Sequence, residues 1–271
     1  MRNFIRRNPL GAYFTLTFLI SWTGALAVAL PYLARGASVP KMAGLMMFPA
    51  MLLGPSCSSI VLNWLGGSLP DLVRRMQRVS VGYWYAALLI PPMLVLAVLY
   101  SLKTFLSPAF APNAFLAGIS FGLPAGFFEE IGWTGYAFPR MRDRMGPWKA
   151  GIVLGLIWSV WHLPVIDYLG TATPHGTYWL PFFLAFTAAM TAMRVIIGWV
   201  YQYTGSVLLA QLLHAASTGS LVVFSPPNAT AGQEAFWYAV YACALWVLAC
   251  AIRGKLMGGG ANGRSPRVAS A

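Results

Sequence analysis

Acidic residues are scarce in this sequence, six carboxylates against eighteen lysines and arginines in 271 positions. Charged residues of both signs make up only 9% of the chain, whereas 58% are hydrophobic and the mean hydropathy is +0.66. A soluble domain carries about 25% charged residues. So few charges cannot cover a water-facing surface, which excludes a soluble globular fold. Cysteine is also rare. Cys57, Cys243 and Cys250 lie in apolar runs with no paired spacing, which excludes a disulfide framework and a cysteine-held metal and leaves them as small hydrophobes. Nor does any internal repeat or inverted symmetry of the transporter kind appear.

What the chain does have is apolar runs of membrane-spanning length. They fall at about 10–33, 42–65, 81–102, 114–138, 150–168, 178–201, 205–224 and 235–252. The first is too long for a signal-peptide core and reads as an uncleaved span. The fifth is short, and only Gln202, Tyr203 and Thr204 separate the sixth from the seventh.

The net charge of +12 would point to nucleic acid in a soluble chain, but here it tests the topology. With the N-terminus inside, fourteen of the eighteen basic residues fall on the inner side, among them Arg74, Arg75, Arg78, Arg140, Arg142, Arg144 and Lys149. Three, Arg35, Lys41 and Lys103, fall outside, and Arg194 falls within the sixth span. The expectation is an all-α polytopic membrane protein of eight transmembrane helices with both termini cytoplasmic. It forms one domain over 1–257, followed by a disordered cytoplasmic tail over 258–271. Its basic balance is spent on orientation, so no nucleic-acid partner is implied. With no organelle signal, the cell (inner) membrane is the expected location.

Within this apolar background, Glu129 and Glu130 stand side by side in the fourth run. A charge near the bilayer centre costs at least about 2.5–3.5 kcal/mol and usually faces a bundle interior or a water-filled cavity. His162 in the fifth run, Arg194 in the sixth and His214 in the seventh complete a polar layer. At about 1.5 Å per residue, these groups lie roughly 10–18 Å from the cytoplasmic ends of their helices, so access from the cytoplasm is expected. Residues four apart share a helix face, which pairs Glu130 with Thr134, Trp158 with His162 and His214 with Thr218. Adjacent glutamates diverge by about 100° around the axis and therefore hold different jobs.

The chemistry on offer is water activation, with a carboxylate as general base and a histidine sharing the proton. Glu130, His162 and His214 also make up the ligand set of a catalytic zinc site, with Glu129 left as base. Zinc and a metal-free glutamate mechanism are equally open at this point. Read one at a time, the other polar and aromatic residues have plainer explanations. His175 reads as a solvated outer-loop residue, Asp167 as a helix-end residue, and Trp133, Trp158 and Trp199 as packing or interface aromatics.

At these residues the sequence resembles the CPBP family of intramembrane proteases, which contains the type II CAAX prenyl endopeptidases and bacteriocin-processing or immunity proteins. That family's EExxxR motif is matched by Glu129 and Glu130, with Thr134 at the arginine position; FxxxH by Trp158 and His162; and HxxxN by His214, with Thr218 at the asparagine position. The likeness covers about residues 80–225. It implies that Glu129 is the water-activating base with His162 beside it, Glu130 a supporting carboxylate or ligand, and His214 a ligand or oxyanion stabiliser. Where Thr134 replaces the family's cation, Arg194 compensates from a matching depth; Thr218 retains one hydroxyl donor. The expected function is endoproteolysis of a membrane-associated peptide or protein in contact with the lipid bilayer. The alternatives are a catalytically silent binding or immunity protein and an ion-coupled transporter, for which Pro124 and Gly126 would break the fourth helix before the glutamates.

Overall fold

The computed structural model describes residues 7–258, with backbone alone for 255–258. The described residues form helices joined by turns and loops, with no strand. In chain order the helices are α1 (Pro9–Leu33), α2 (Lys41–Leu65), α3 (Leu69–Met76) and α4 (Ile90–Phe105). They continue as α5 (Ile119–Gly132), α6 (Phe138–Met145), α7 (Pro147–Trp161), α8 (Trp179–Thr204), α9 (Val207–Phe224) and α10 (Ala231–Gly258). A 3₁₀ segment, Gly82–Leu89, leads into α4, and a π-helical turn, Trp133–Ala137, joins α5 to α6.

Among the described residues, six helices are long and apolar enough to cross a membrane, α4 and α8 counting together with their 3₁₀ leads. The fourth expected span is a helical run without a break from Ile119 to Met145, in which the π turn separates α5 from α6. The fifth stops after the 15 residues of α7. Pro164 explains that stop, because it supplies no N–H to continue the ladder and biases Leu163 away from helical geometry. A short amphipathic helix, α3, occupies the linker after α2. At the other end, α10 runs on through Gly258, one residue past the expected domain boundary, and the expected tail over 259–271 lies outside the described residues.

The helices close around α8, which packs against α7, α9 and α10; α9 packs on α5, α5 on α2, and α2 on α1, while α4 bridges α9 and α10. Two close approaches set the site's dimensions. Gly118, Gly122 and Gly126 face α9 at every fourth residue, and a methyl group on Gly122 or Gly126 would overlap the α9 backbone at Ala215 or Gln211. Gly151 and Gly155 do the same for α7 against α8, where a Cβ on Gly155 would stand 2.6 Å from Thr191 Cα. Small residues at this spacing let apolar helices meet backbone to backbone, which supports association where no hydrophobic effect operates between helices. The turn from α8 to α9 is just as tight. Gly205 takes a left-handed conformation with φ of 61°, and the Ser206 hydroxyl accepts the Leu209 N–H at 3.0 Å. This reversal keeps Arg194 and His214 on adjacent antiparallel helices.

The outward faces carry Leu19, Leu26 and Leu30 on α1 and Leu180 and Leu184 on α8, all well exposed, as lipid contact requires. At one end of the bundle the basic residues anchor the chain. Arg75 donates to Gly135 O at 3.0 Å and Tyr201 Oη at 2.8 Å, Arg142 to Gln202 Oε1 at 3.3 Å, and Arg253 lies over Trp148. Gly135 O is available because its helical partner four residues on is Pro139, which has no N–H.

The segment 163–178 at the opposite end corrects one expectation. His175 is only 1% exposed, stacked on Phe182 with ring centroids 3.9 Å apart. Asp167 Oδ1 accepts the His175 backbone N–H at 3.0 Å and lies 3.2 Å from its Nδ1. Glu234, fully buried on the first turn of α10, accepts the N–H groups of Thr171 and Ala172 at 2.9 Å each. A reciprocal pair, Thr230 and Gln233, caps that turn: each side chain accepts the other's N–H. No local pattern signals this pairing, because the acid and the loop lie far apart in the chain. Glu234→Ala leaves two half-buried N–H groups without acceptors, at a cost of up to about 1–3 kcal/mol each. Hydrogen exchange across 163–178 is expected to rise sharply in that variant, with α5 and α8 unchanged.

Candidate active site

α5 carries both carboxylates, and helices on either side hold it in place through its backbone carbonyls. Ser56 and Ser59 of α2 donate to Phe128 O at 2.5 Å and Ile131 O at 2.7 Å, and Gln211 of α9 donates to Phe127 O at 2.8 Å. The helix is continuous through Pro124 and Gly126, so the break that a transporter reading would use is not there. The irregular turn comes just after the glutamates instead, at Trp133–Ala137, where the Phe138 N–H reaches back five residues to Trp133 O. π turns of this kind occur often at functional sites.

The two glutamates have separate environments, as their angular divergence implies. Glu130 is fully buried in a cationic nest: Arg194 Nη1 lies 2.7 Å from Oε1 and 2.9 Å from Oε2, His214 Nδ1 lies 2.9 Å from Oε1, and Thr134 donates its hydroxyl to Oε2. Arg194 Nη2 donates to Thr134 Oγ1 at 2.9 Å, closing the network. The guanidinium reaches Glu130 from α8, at the place where the EExxxR motif would bring one from the π turn that follows α5. Such charge-assisted bonds are the strong class, and a buried acid without them would be very costly.

Glu129, also fully buried, is held by two indoles. Trp158 Nε1 donates to Oε2 at 2.6 Å and Trp133 Nε1 to the same oxygen at 3.1 Å. Its Oε1 has no hydrogen-bond partner among the described residues. Trp158 is therefore a donor to the acid as well as a packing group. It also lies edge-on to both imidazoles, with ring centroids 4.9 Å from His214 and 5.6 Å from His162. Trp133 went unrecognised in the sequence, where only its four-residue spacing from Glu129 signalled the contact.

His162 caps the last turn of α7, with Nδ1 2.9 Å from Trp158 O. A carbonyl only accepts, so Nδ1 carries the proton and Nε2 is the free nitrogen. His214 likewise turns Nδ1 toward a carboxylate and keeps Nε2 away from it. Thr218, half-buried one turn from His214, borders the cavity rather than the carboxylates.

Glu129, Trp158, His162, His214 and Thr218 line a cavity of about 560 Å³, whose remaining wall is mostly apolar, including Met46, Phe48, Leu52, Phe128 and Phe186. Glu130, Thr134 and Arg194 lie behind that wall. This arrangement bears on zinc. Both Glu130 oxygens are committed to Arg194, and among the described residues no three His, Cys, Asp or Glu side chains are grouped to hold a metal ion. The residues present do not fit the proposed ligand set of Glu130, His162 and His214.

Comparison with known proteins bears on the same segment. The family model described as type II CAAX prenyl endopeptidase Rce1-like matches residues 111–219, which contain Glu129, Glu130, Thr134, Trp158, His162, Arg194, His214 and Thr218. CAAX prenyl protease 2 of Methanococcus maripaludis is 26% identical over 224 residues, spanning 74% of this chain and 78% of that protein. The chain's resemblance to the type II CAAX prenyl endopeptidases, carried by three short motifs, thus extends over the whole segment that builds the site.

Proposed function

We propose that this protein is an intramembrane endopeptidase that cleaves a membrane-associated peptide or protein with water activated by Glu129, without a metal. The observation that carries the reading is the state of Glu129: one oxygen fixed by two indole N–H groups, the other unpaired, on the wall of an apolar cavity between two histidines. In the first step Glu129 Oε1 takes a proton from water while His162 Nε2 accepts the water's other hydrogen bond and aims it. The hydroxyl oxygen's lone pair forms a bond to the peptide carbonyl carbon as the C=O π pair moves onto the carbonyl oxygen. His214, protonated on both nitrogens, donates from Nε2 to that oxyanion while Nδ1 stays on Glu130. When the tetrahedral species collapses, the C–N bond breaks and protonated Glu129 delivers its proton to the departing amine. Charge balance favours this assignment, because Glu129, Glu130, Arg194 and His214 then sum to zero in a buried cluster. One preorganised oxyanion donor typically contributes about 10²–10³ in rate.

The silent-protein alternative draws on the departures at Thr134 and Thr218, and the guanidinium that Arg194 brings to Glu130 weakens the first of these. The substrate's chemistry is left to experiment, which would present the purified protein in lipid vesicles with a library of membrane-anchored peptides, with and without a strong chelator. Product formation unchanged by chelator is expected. Loss on chelation with recovery on added zinc would overturn the metal-free mechanism, and absence of products across the library would overturn the protease assignment.

A further inference from the structure

Helix α1 lies outside residues 111–219, the segment that the family model matches, yet one of its side chains reaches the turn behind the glutamates. Tyr13 is fully buried. Its ring meets Trp133 edge-on with centroids 5.8 Å apart and stacks on Tyr136 at 5.1 Å, so it contacts the π turn at two of its five residues. Its hydroxyl lies against Gly132, the last residue of α5. A Cβ at Gly132 would come within 2.2 Å of Tyr13 Oη and 2.5 Å of Pro55 O, so only glycine lets α1, α2 and α5 meet here. Tyr13 Oη has no hydrogen-bond partner among the described residues. What Tyr13 brings to the turn is therefore its ring. Trp133 is the indole in need of support. Its Nε1 donates to Glu129 Oε2 at 3.1 Å, a longer bond than the 2.6 Å made by Trp158. Trp158 stands on the regular helix α7, whereas Trp133 opens the stretch where the helical ladder gives way to a five-residue bond.

We infer that Tyr13 is a positioning residue for the water-activating carboxylate: its ring holds the Trp133 indole in the orientation that fixes one Glu129 oxygen and leaves the other free. Edge-on aromatic contacts are directional, so this one sets the plane of the indole as well as filling space. Tyr13 is not among the described residues lining the cavity, and it acts on Glu129 through Trp133 without touching substrate. Its removal therefore lowers turnover and leaves substrate binding alone. The effect on turnover rests on the protease reading, but the effect on Trp133 is measured without any cleavage.

The first measurement is deuterium exchange of the indole N–H groups in the full chain, labelled with ¹⁵N-tryptophan and reconstituted in lipid nanodiscs. The signals of interest are assigned from Trp133→Phe and Trp158→Phe. In Tyr13→Leu the Trp133 indole is expected to exchange about tenfold faster, with Trp158 unchanged. Tyr13→Phe, which keeps the ring, is expected to retain the parent rate at both. Exchange of Trp133 at the parent rate in Tyr13→Leu overturns the inference, and so does equal acceleration at Trp158, which marks general loosening. The second measurement is a double-mutant cycle on cleavage of membrane-anchored peptides. Tyr13→Leu is expected to lower kcat by about 10–10² with KM unchanged, and to cause no further loss when Trp133→Phe has already removed the donor. Additive losses, or a loss confined to KM, overturn the inference. If Tyr13→Leu does not insert, Tyr13→Met enters both measurements in its place. No product from the parent protein would overturn the protease reading, and indole exchange then decides the positioning of Trp133 by itself.

Discussion

Glu129→Gln abolishes measurable cleavage, with an expected loss of at least about 10²–10⁴ in turnover from removing the general base. The substitution is nearly isosteric, and the glutamine carbonyl can still accept the indole N–H groups of Trp158 and Trp133. It also removes a buried negative charge, so the variant is expected to insert and unfold at a temperature no lower than the parent. The loss should appear in kcat, with substrate binding to the cavity retained, because Glu129 occupies little of an otherwise apolar wall. Full activity in the variant would move the base to His162 or His214.

Arg194→Ala has the largest expected effect on stability. It leaves Glu130 buried with only His214 Nδ1 and the Thr134 hydroxyl beside it, and breaking one side of a buried ion pair typically costs about 3–5 kcal/mol. Arg194→Lys restores the charge but not the planar fork that spans both Glu130 oxygens and Thr134, so only partial recovery is expected. The informative variant combines Arg194→Ala with Thr134→Arg, which moves the cation from α8 to the position the EExxxR motif gives it, on the π turn after α5. If Arg194 fills the role of that missing arginine, the double variant is more stable than Arg194→Ala alone, as read by thermal unfolding in detergent. Thr134→Arg alone places two guanidinium groups against one carboxylate and is expected to destabilise. Additivity of the two single effects would separate Arg194 from the motif.

Much of the site was legible in the sequence because polar groups in apolar helices are few and costly to bury. Glu129, Glu130, His162, Arg194 and His214 stood out for that reason, and the equal depth of Glu130 and Arg194 was enough to suggest their pairing. Trp133 and Trp158 were not legible as donors, since an indole packs in a core whether or not its N–H is used. His175 was misplaced because its burial depends on Phe182 and Glu234, partners that no local pattern links to a Pro- and Gly-rich loop. The end of the fifth span was not legible for a different reason. Apolar composition continues past Pro164, and composition does not register where the backbone ladder stops. Depth along single helices placed Glu129, His162 and His214 in one layer but said nothing of the cavity they line, whose walls come from neighbouring helices.

The central claim is that Glu129 activates water for peptide hydrolysis on the cavity wall. Its most direct test is mass spectrometry of membrane-anchored peptides incubated in ¹⁸O-labelled water with the lipid-reconstituted protein and, in parallel, with Glu129→Gln. The account predicts new C-termini carrying ¹⁸O from the parent protein in the presence of chelator, and none from the variant. Equal product from both proteins, or product from neither, would contradict it.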